Sequence, residues 1–399
     1  VTDDPLNPVA TVALVNVDTD EILRSAVQSF DTAGARRLAI KNLVVTGLGA
    51  YVPDGLEGEV SVTWRGTERR VHVGFGNLRD QNDLADSTLR ATSTRPKVLI
   101  DFPFDEAGYG PDADLERLDR FRSTNEPTPT LCWLPSFMTD DGQKQLRNFV
   151  ALDMLLTGER FEQHTSHLSE SQRREAKPLL TEQRNQLRNQ LTDAVRAAYG
   201  VIGDHPYVDS TKSLSDHFVS LDSGMAVRPT TAPTFEGAFE QLYDQLFASI
   251  FPGHPKLGDK KISKGNRQAA LAELMRALGD AEGRVVVDTP KRAMTKLLAE
   301  ALELGTLAES NLVINKTWYQ RLERHLNSAA EEERSLNVGD MRGLIEAEAG
   351  GPRGMPAEIA DLGPSAVAYI RSTLAAQADL AYVTLADVER SSAKSSSAE

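Results

Sequence analysis

The hydrophobic positions of this chain change period several times, and each change predicts a change of element. Residues 18 to 45, DTDEILRSAVQSFDTAGARRLAIKNLVV, open on acidic residues suited to a helix N-terminus and then place Ile22, Leu23, Ala26, Val27 and Phe30 on one face. A second helix is expected around Arg36 to Val45. Period two then takes over in GEVSVTWRGTERRVHVGFGNLRD, where Val60, Val62 and Trp64 alternate, RGTERR reads as a turn, and Val71, Val73 and Phe75 alternate again. This predicts a β-hairpin with Trp64 facing the core. Val98 to Phe102 reads as a short apolar strand, DADLERLDRFR at 112–122 has helical spacing, and TLCWLP follows as another strand. Strand, helix and strand at this spacing predict a parallel βαβ step.

From Thr139 the pattern is helical. TDDGQKQLRNFVALDMLLTG carries an N-cap with acids behind it, and SESQRREAKPLLTEQRNQLRNQLTDAVRAAYG is long, polar and closed by glycine. Pro178 either starts a new helix there or kinks a continuing one. PYVDSTKSLSDHFVSLDSG reads as a loop, after which Phe235, Phe239, Leu242, Tyr243, Leu246 and Ile250 recur at helical spacing as a core element. Residues 266–362 alternate short helices with the apolar runs GRVVVDTP and SNLVI, the pattern of a winged-helix unit. The expected fold class is therefore α+β (mixed), a β-hairpin-containing α/β domain followed by a helical region and winged-helix-like units. The expected segments are a helical N-terminus (1–45), a mixed α/β domain (46–138), a helical domain with long polar helices (139–254), a helical, winged-helix-like domain (255–362), and a C-terminal segment with a disordered serine-rich tail (363–399).

Composition narrows the function classes. Of 399 residues, 40% are hydrophobic and 26% charged, which predicts packed cores rather than disorder. A formal charge of −14 opposes non-specific binding to nucleic acid or anionic lipid, unless a local basic patch overrides it. The single cysteine, Cys132, leaves no internal disulfide and no multi-cysteine zinc site, as in a reducing compartment. No apolar run approaches the roughly 18 residues of a membrane span, and VTDDPLNPVA lacks the features of a signal peptide. A cytoplasmic protein without membrane partners is expected.

The stretch RPKVLIDFPFDEAGYGP, in which a strand runs into Asp101, Asp105 and Glu106, resembles the magnesium end of a nucleotide-hydrolysing site. Such a site also needs backbone N–H groups from G-x-x-x-x-G-K-[ST] to cradle the phosphates. The glycine clusters TGLGAYVPDG, GHPKLGDKKISKG and EAGGPRG all lack that spacing, so no ATP hydrolysis by this chain alone is expected. Asp101 and Asp105 remain weak metal candidates; the plainer reading puts these acids in a solvated turn and at a helix start. His164 and His167, three apart, would share a face if helical and could hold a metal, but no H-E-x-x-H pattern accompanies them, and a polar loop or helix start is the plainer reading. Cys132 sits in an apolar strand and reads as a buried structural thiol. No G-x-S-x-G elbow is present. Lys256, Lys260, Lys261, Lys264 and Arg267 concentrate positive charge ahead of a helix and are candidates for nucleic-acid or phosphate binding; a solvated connector between helical regions is the plainer reading.

The hairpin VSVTWRGTERRVHVGFGNLRD, the strand VLIDFPFDEAGYGP, the block that begins LCWLPSFMTDDGQKQLRNFV and the segment FPGHPKLGDKKISKGNRQAALAELM together resemble the large ATPase of BREX phage-resistance systems, of the PglY/BrxC type, over roughly residues 10–362. The likeness rests on segment order and wording. In that family the P-loop lies toward the N-terminus, before the region matched, so the resemblance implies a central region without the phosphate-binding half. It also implies ATP and Mg²⁺ as cofactors of the full-length family member and none for this chain. Other defence-system proteins, including a DNA methyltransferase, are implied as partners, with DNA as a further candidate. The residues from about Gly363 do not look like the family. The leading expectation is a scaffold and interaction region of a defence ATPase. The alternative is a winged-helix nucleic-acid-binding regulator; an autonomous phosphotransferase would need the missing loop.

Overall fold

The computed structural model describes residues 17–48, 55–209, 211, 217–332 and 338–354. The extreme N-terminus and the serine-rich segment 363–399 lie outside the described residues. The chain forms two compact units, Val1–Val60 with Val71–Tyr243, and Ser61–Arg70 with Asp244–Glu399. The division runs through a hairpin and through a helix, where no change of composition marks it.

In the first unit, α1 (Thr19–Phe30) starts at Asp18, whose carboxylate accepts from the N–H groups of Asp20 and Glu21, and it buries Ile22, Leu23 and Ala26. The helix α2 (Ala33–Leu48) follows. The strands β1 (Glu57–Trp64) and β2 (Thr67–Phe75) form the expected hairpin. Its turn is shorter than the six residues RGTERR, however: only Arg65 and Gly66 lie between the strands, with φ of 43° and 77°. Two central residues at positive φ match the twist of antiparallel strands, so the strands continue through Thr67–Arg70.

A short helix α3 (Asp86–Leu89) precedes β3 (Lys97–Ile100), α4 (Pro111–Thr124) and β4 (Thr130–Trp133). The sheet order is β1-β2-β3-β4-β5, and β2, β3 and β4 are mutually parallel with Leu99 opposite Cys132. The parallel βαβ step is therefore present. The fifth strand, β5 (Phe218–Ser220), corrects the loop expected there: it pairs antiparallel with β4, Trp133 opposite Phe218. Three residues are too few for an alternation signal, and the pairing alone defines them.

Alternation decides the two faces of β4. Cys132 joins Leu78, Leu89, Leu99, Leu118 and Leu134 in one cluster, beneath α4. Trp133 instead meets Tyr199, Phe218 and Phe235, with ring centroids 5.8, 5.3 and 5.8 Å away. Thr139 caps α5 (Asp140–Leu155) by accepting from the Gly142 N–H, as expected. After α6 (Arg160–His164) comes α7 (Glu170–Ala198), a single 29-residue helix opened by a capping box between Ser169 and Gln172. Pro178 lies inside it, so the helix continues through the proline rather than restarting. The next helix, α8 (Phe235–Ile250), buries Phe235, Ala238, Phe239, Leu242, Leu246 and Phe247.

The second unit contains α9 (Lys264–Leu278), β6 (Arg284–Val286), α10 (Thr289–Ala301), β7 (Gly305–Ala308), β8 (Asn311–Ile314), α11 (Thr317–Glu331) and α12 (Val338–Glu348). Three strands in the order β6-β8-β7, all antiparallel, stand where the sequence shows the two apolar runs GRVVVDTP and SNLVI. The run KRAMTKLLAEALELGTL is helical only to Ala301, and its end, GTL, belongs to β7. One cluster joins Leu274, Ala277, Val287, Ala299, Leu307 and Leu312; another joins Leu257, Ile262, Ala270, Leu298 and Leu302.

The hairpin tip packs into this second unit. A Cβ on Gly66 would stand 2.9 Å from Leu257 Cβ and 3.1 Å from the Leu257 carbonyl oxygen, and Ile262 N–H donates to Gly66 O at 3.0 Å. Gly66→Ala combines a left-handed backbone with this overlap and is expected to cost about 2 kcal/mol. Urea denaturation checks it; a midpoint equal to wild type would show that the tip does not pack there.

Candidate functional site

The carboxyl end of the parallel strands is where α/β sheets ordinarily place their chemistry, and Asp101 stands there directly after β3. Its N–H donates to Trp133 O at 3.1 Å, and its Oδ1 accepts from Leu78 N–H at 3.2 Å. The Tyr199 hydroxyl donates to its carbonyl. The side chain is 3% exposed and faces Asp114, 1% exposed, in the first turn of α4. The Asp101 carboxyl and the Arg79 backbone N–H hydrogen-bond to Asp114 and partly offset its burial. Burial raises both groups, Asp114 to about 6 and Asp101 well above the carboxylate range, and the neighbouring acid adds to the rise in Asp101. The two share a proton, because buried like charges in hydrogen-bonding reach do not both ionise.

Asp105 behaves oppositely. Arg79 donates to it twice, Nε to Oδ2 at 2.5 Å and Nη2 to Oδ1 at 3.0 Å, and Asn77 Nδ2 and the Glu106 N–H each donate to Oδ1 at 2.7 Å. Burial pushes its carboxyl up, but Arg79 and the other donors outweigh burial and hold it below the usual range. The Arg79 guanidinium lies 3.8 Å over the Tyr109 ring. Glu106 is exposed, 3.9 Å from Arg79. Arg117 closes the frame, donating to Leu78 O, Leu84 O and Asp86 Oδ1 at 2.7, 2.5 and 2.9 Å. Asp105 and Glu106 therefore sit in an ion-paired turn, whereas Asp101 belongs to the core, contrary to its expected place in a solvated turn. Among the described residues no three His, Cys, Asp or Glu side chains gather so as to hold a metal ion.

Sequence spacing did not single out Asn77, Arg79, Asp114, Arg117 or Tyr199. The one available signal was Asp114 itself, an acid in phase with Leu118 and Phe121 on the apolar side of α4.

The other candidates are scattered. His164 ends α6 with its ring 5.6 Å from Phe30, and Thr165 caps the helix, so His167 lies beyond it and the two do not share a helix face. Cys132 is fully buried, and burial pushes its thiol far up. Lys256, Lys260, Lys261 and Lys264 are exposed, with Arg267 half-buried on the first turns of α9. The loop is more than a solvated connector: Leu257 and Ile262 are 1% and 4% exposed, and Lys261 pairs with Glu68. Ser263 caps α9 by accepting from Asn266 N–H at 3.2 Å.

Fold and geometry define a mixed α+β protein whose conspicuous acids are bound into its own frame. The chain belongs to the PglY family of BREX ATPases: the model described as PglY fourth domain matches residues 22–251, and that of the BREX System ATPase PglY protein 5th domain matches residues 265–363. It is a region of a BREX phage-resistance protein, and membership of that system places it among other defence-system proteins. No solved structure matches the chain. Among the described residues no helix is long and apolar enough to cross a membrane.

Proposed function

We propose that this chain is a scaffold and interaction region of a BREX defence ATPase, acting by assembly with other defence proteins, including a DNA methyltransferase, in the cytoplasm. The engagement of Asp105 by Arg79 and of Asp101 by Asp114 supports this reading, because the acids best placed for metal chemistry are committed to holding the sheet and α4 together. ATP and Mg²⁺ would be served by a phosphate loop that these residues do not contain.

A second reading, nucleic-acid contact by a winged-helix unit, draws support from the succession α9, β6, α10, β7, β8 with β6 beside β8. The lysine loop would then supply phosphate contacts, each steepening the salt dependence of binding by about one log unit per log unit of salt. Replacing Lys256, Lys260, Lys261 and Lys264 by Gln separates the readings. Under assembly, the variant keeps its circular dichroism, co-purifies with the other BREX proteins and retains phage resistance, since exposed charges contribute little to stability. Loss of resistance with unchanged folding, together with a flattened salt dependence of duplex DNA binding, would move the working surface to this loop.

A further inference from the structure

The glycine clusters of the sequence fail one by one as phosphate loops, yet two of them meet in the second unit. Residues 251–255 (FPGHP) and 350–354 (GGPRG) lie so close that a Cβ on Gly253 would stand 2.3 Å from Gly351 O, and one on Gly351 2.5 Å from Pro252. Gly354, at φ +54°, would overlap the Phe251 ring at 2.1 Å. Gly253 N–H donates to Pro352 O at 3.2 Å. The hairpin tip completes the cluster. The Trp64 ring lies 4.7 Å from His254, Arg65 Nη1 donates to His254 O at 3.3 Å, and Arg69 Nη2 donates to Gly354 O.

The cluster gathers cations with little to neutralise them. Arg65 covers Trp64 at 4.5 Å, Arg69 covers Phe251 at 4.7 Å and Arg353 covers Trp318 at 4.9 Å. Asp244 stands 3.9 Å from Arg65 but already accepts the Trp64 Nε1–H at 2.7 Å. Glu303 and Glu346 attract Arg353, against Arg321. No carboxylate among the described residues offsets Arg69, and burial lowers its guanidinium to about 10. Among the described residues three buried nitrogens of this cluster have no partner: Arg69 Nε, Arg353 Nε and His254 Nε2. His254 is 4% exposed, and its Nδ1 lies 2.8 Å from Pro255 O, so Nδ1 carries the hydrogen and Nε2 is left over. Burial, and then Arg69, Arg65 and Arg353 against the Pro255 carbonyl, bring the ring down to about 4. Buried nitrogens without partners are costly: the two arginine Nε–H groups, set among guanidiniums, need an anionic acceptor, and His254 Nε2 can share it only by taking up a proton.

We propose that Arg65, Arg69, His254 and Arg353 form a binding site for a phosphate-bearing anion. The phosphoryl oxygens accept from the two orphaned Nε–H groups, and the added negative charge lets His254 take a proton and donate from Nε2. The aromatic faces are already covered by guanidiniums, so a base has nothing to stack on and inorganic phosphate suffices as a probe. This site is separate from the lysine loop and stands apart from the assembly reading.

The test uses the full chain. Sodium phosphate or pyrophosphate at millimolar concentration is expected to raise the thermal midpoint and change tryptophan fluorescence, relative to sodium chloride at equal ionic strength. Arg69→Gln and Arg353→Gln are each expected to weaken binding at least tenfold, while Arg174→Gln, on the exposed face of α7, leaves it unchanged. Competition by a single-stranded oligonucleotide alone assigns a nucleic-acid backbone as the source, by ATP alone a nucleotide, and by neither free phosphate. No phosphate-specific shift in the wild-type chain overturns the proposal, whether or not the variants fold. Binding unaltered in folded Arg69→Gln and Arg353→Gln overturns it equally.

Discussion

Trp64→Ala lowers the stability of the second unit by about 3 to 5 kcal/mol, the cost of removing a large buried aromatic that its neighbours cannot replace. The side chain is 2% exposed, and its ring lies 5.3 Å from Phe247, 6.4 Å from Phe251 and 4.7 Å from His254. Its Nε1–H donates to Asp244 at 2.7 Å, and Arg65 lies over its outer face. Truncation therefore opens a cavity and strips a donor from a carboxylate in one step. Trp64→Phe keeps most of the ring and loses the hydrogen bond, so it should fall between wild type and Trp64→Ala, at about 1 to 2 kcal/mol. Denaturant unfolding followed by far-ultraviolet circular dichroism measures both. Because the chain has two units, the transition is fitted for each separately. An unchanged midpoint for Trp64→Ala would mean that this face of the hairpin is not packed.

Asp114→Asn is expected to stabilise the protein at pH 8 by up to about 3 kcal/mol, and the gain should vanish near pH 4. Burial raises Asp114 to about 6 in the folded chain. A carboxyl raised on folding contributes stability that is fully present below its unfolded value, near 4, and is lost as pH rises through the folded value. The wild-type pair therefore becomes a liability between about pH 4 and 7, as Asp114 loses its proton and a negative charge forms in the buried space beside Asp101, which keeps its own. Asparagine removes one charge and offers an N–H donor to Asp101. The measurement is the difference in unfolding free energy between variant and wild type across pH 4 to 8. A variant less stable than wild type at pH 8 would show that the Asp114 carboxylate has a partner that matters more than its proton.

Much of the frame was legible because it depends on local periodicity. Ile22, Leu23 and Ala26 on α1, the alternation of Val60 and Trp64, and Thr139 as a cap all act within a few residues of their partners. The same holds for the parallel step, where strand, helix and strand follow one another and the crossover leaves few alternatives. What failed was short or nonlocal. The strand β5 is three residues held only by β4, and the end of α10 is decided by the pairing of Gly305–Ala308 with β8. The turn RGTERR is polar throughout, so nothing in it showed that only Arg65 and Gly66 turn.

The sites divide in the same way. The sequence alone determined the family resemblance, the missing phosphate loop and the burial of Cys132, because each rests on the order or type of residues along the chain. Only the tertiary structure decided the fate of the acids. Asp101, Asp105 and Asp114 look alike in a sequence, but their ionisation depends on what surrounds each carboxylate. Arg79 is 26 residues from Asp105, and the hydroxyl on the Asp101 carbonyl comes from Tyr199, 98 residues away. Tertiary structure likewise gathered Arg65, Arg69, His254 and Arg353 from three distant segments. Charge and hydrogen bonding act through space over a few ångströms, and chain separation carries no record of that distance until the fold is made.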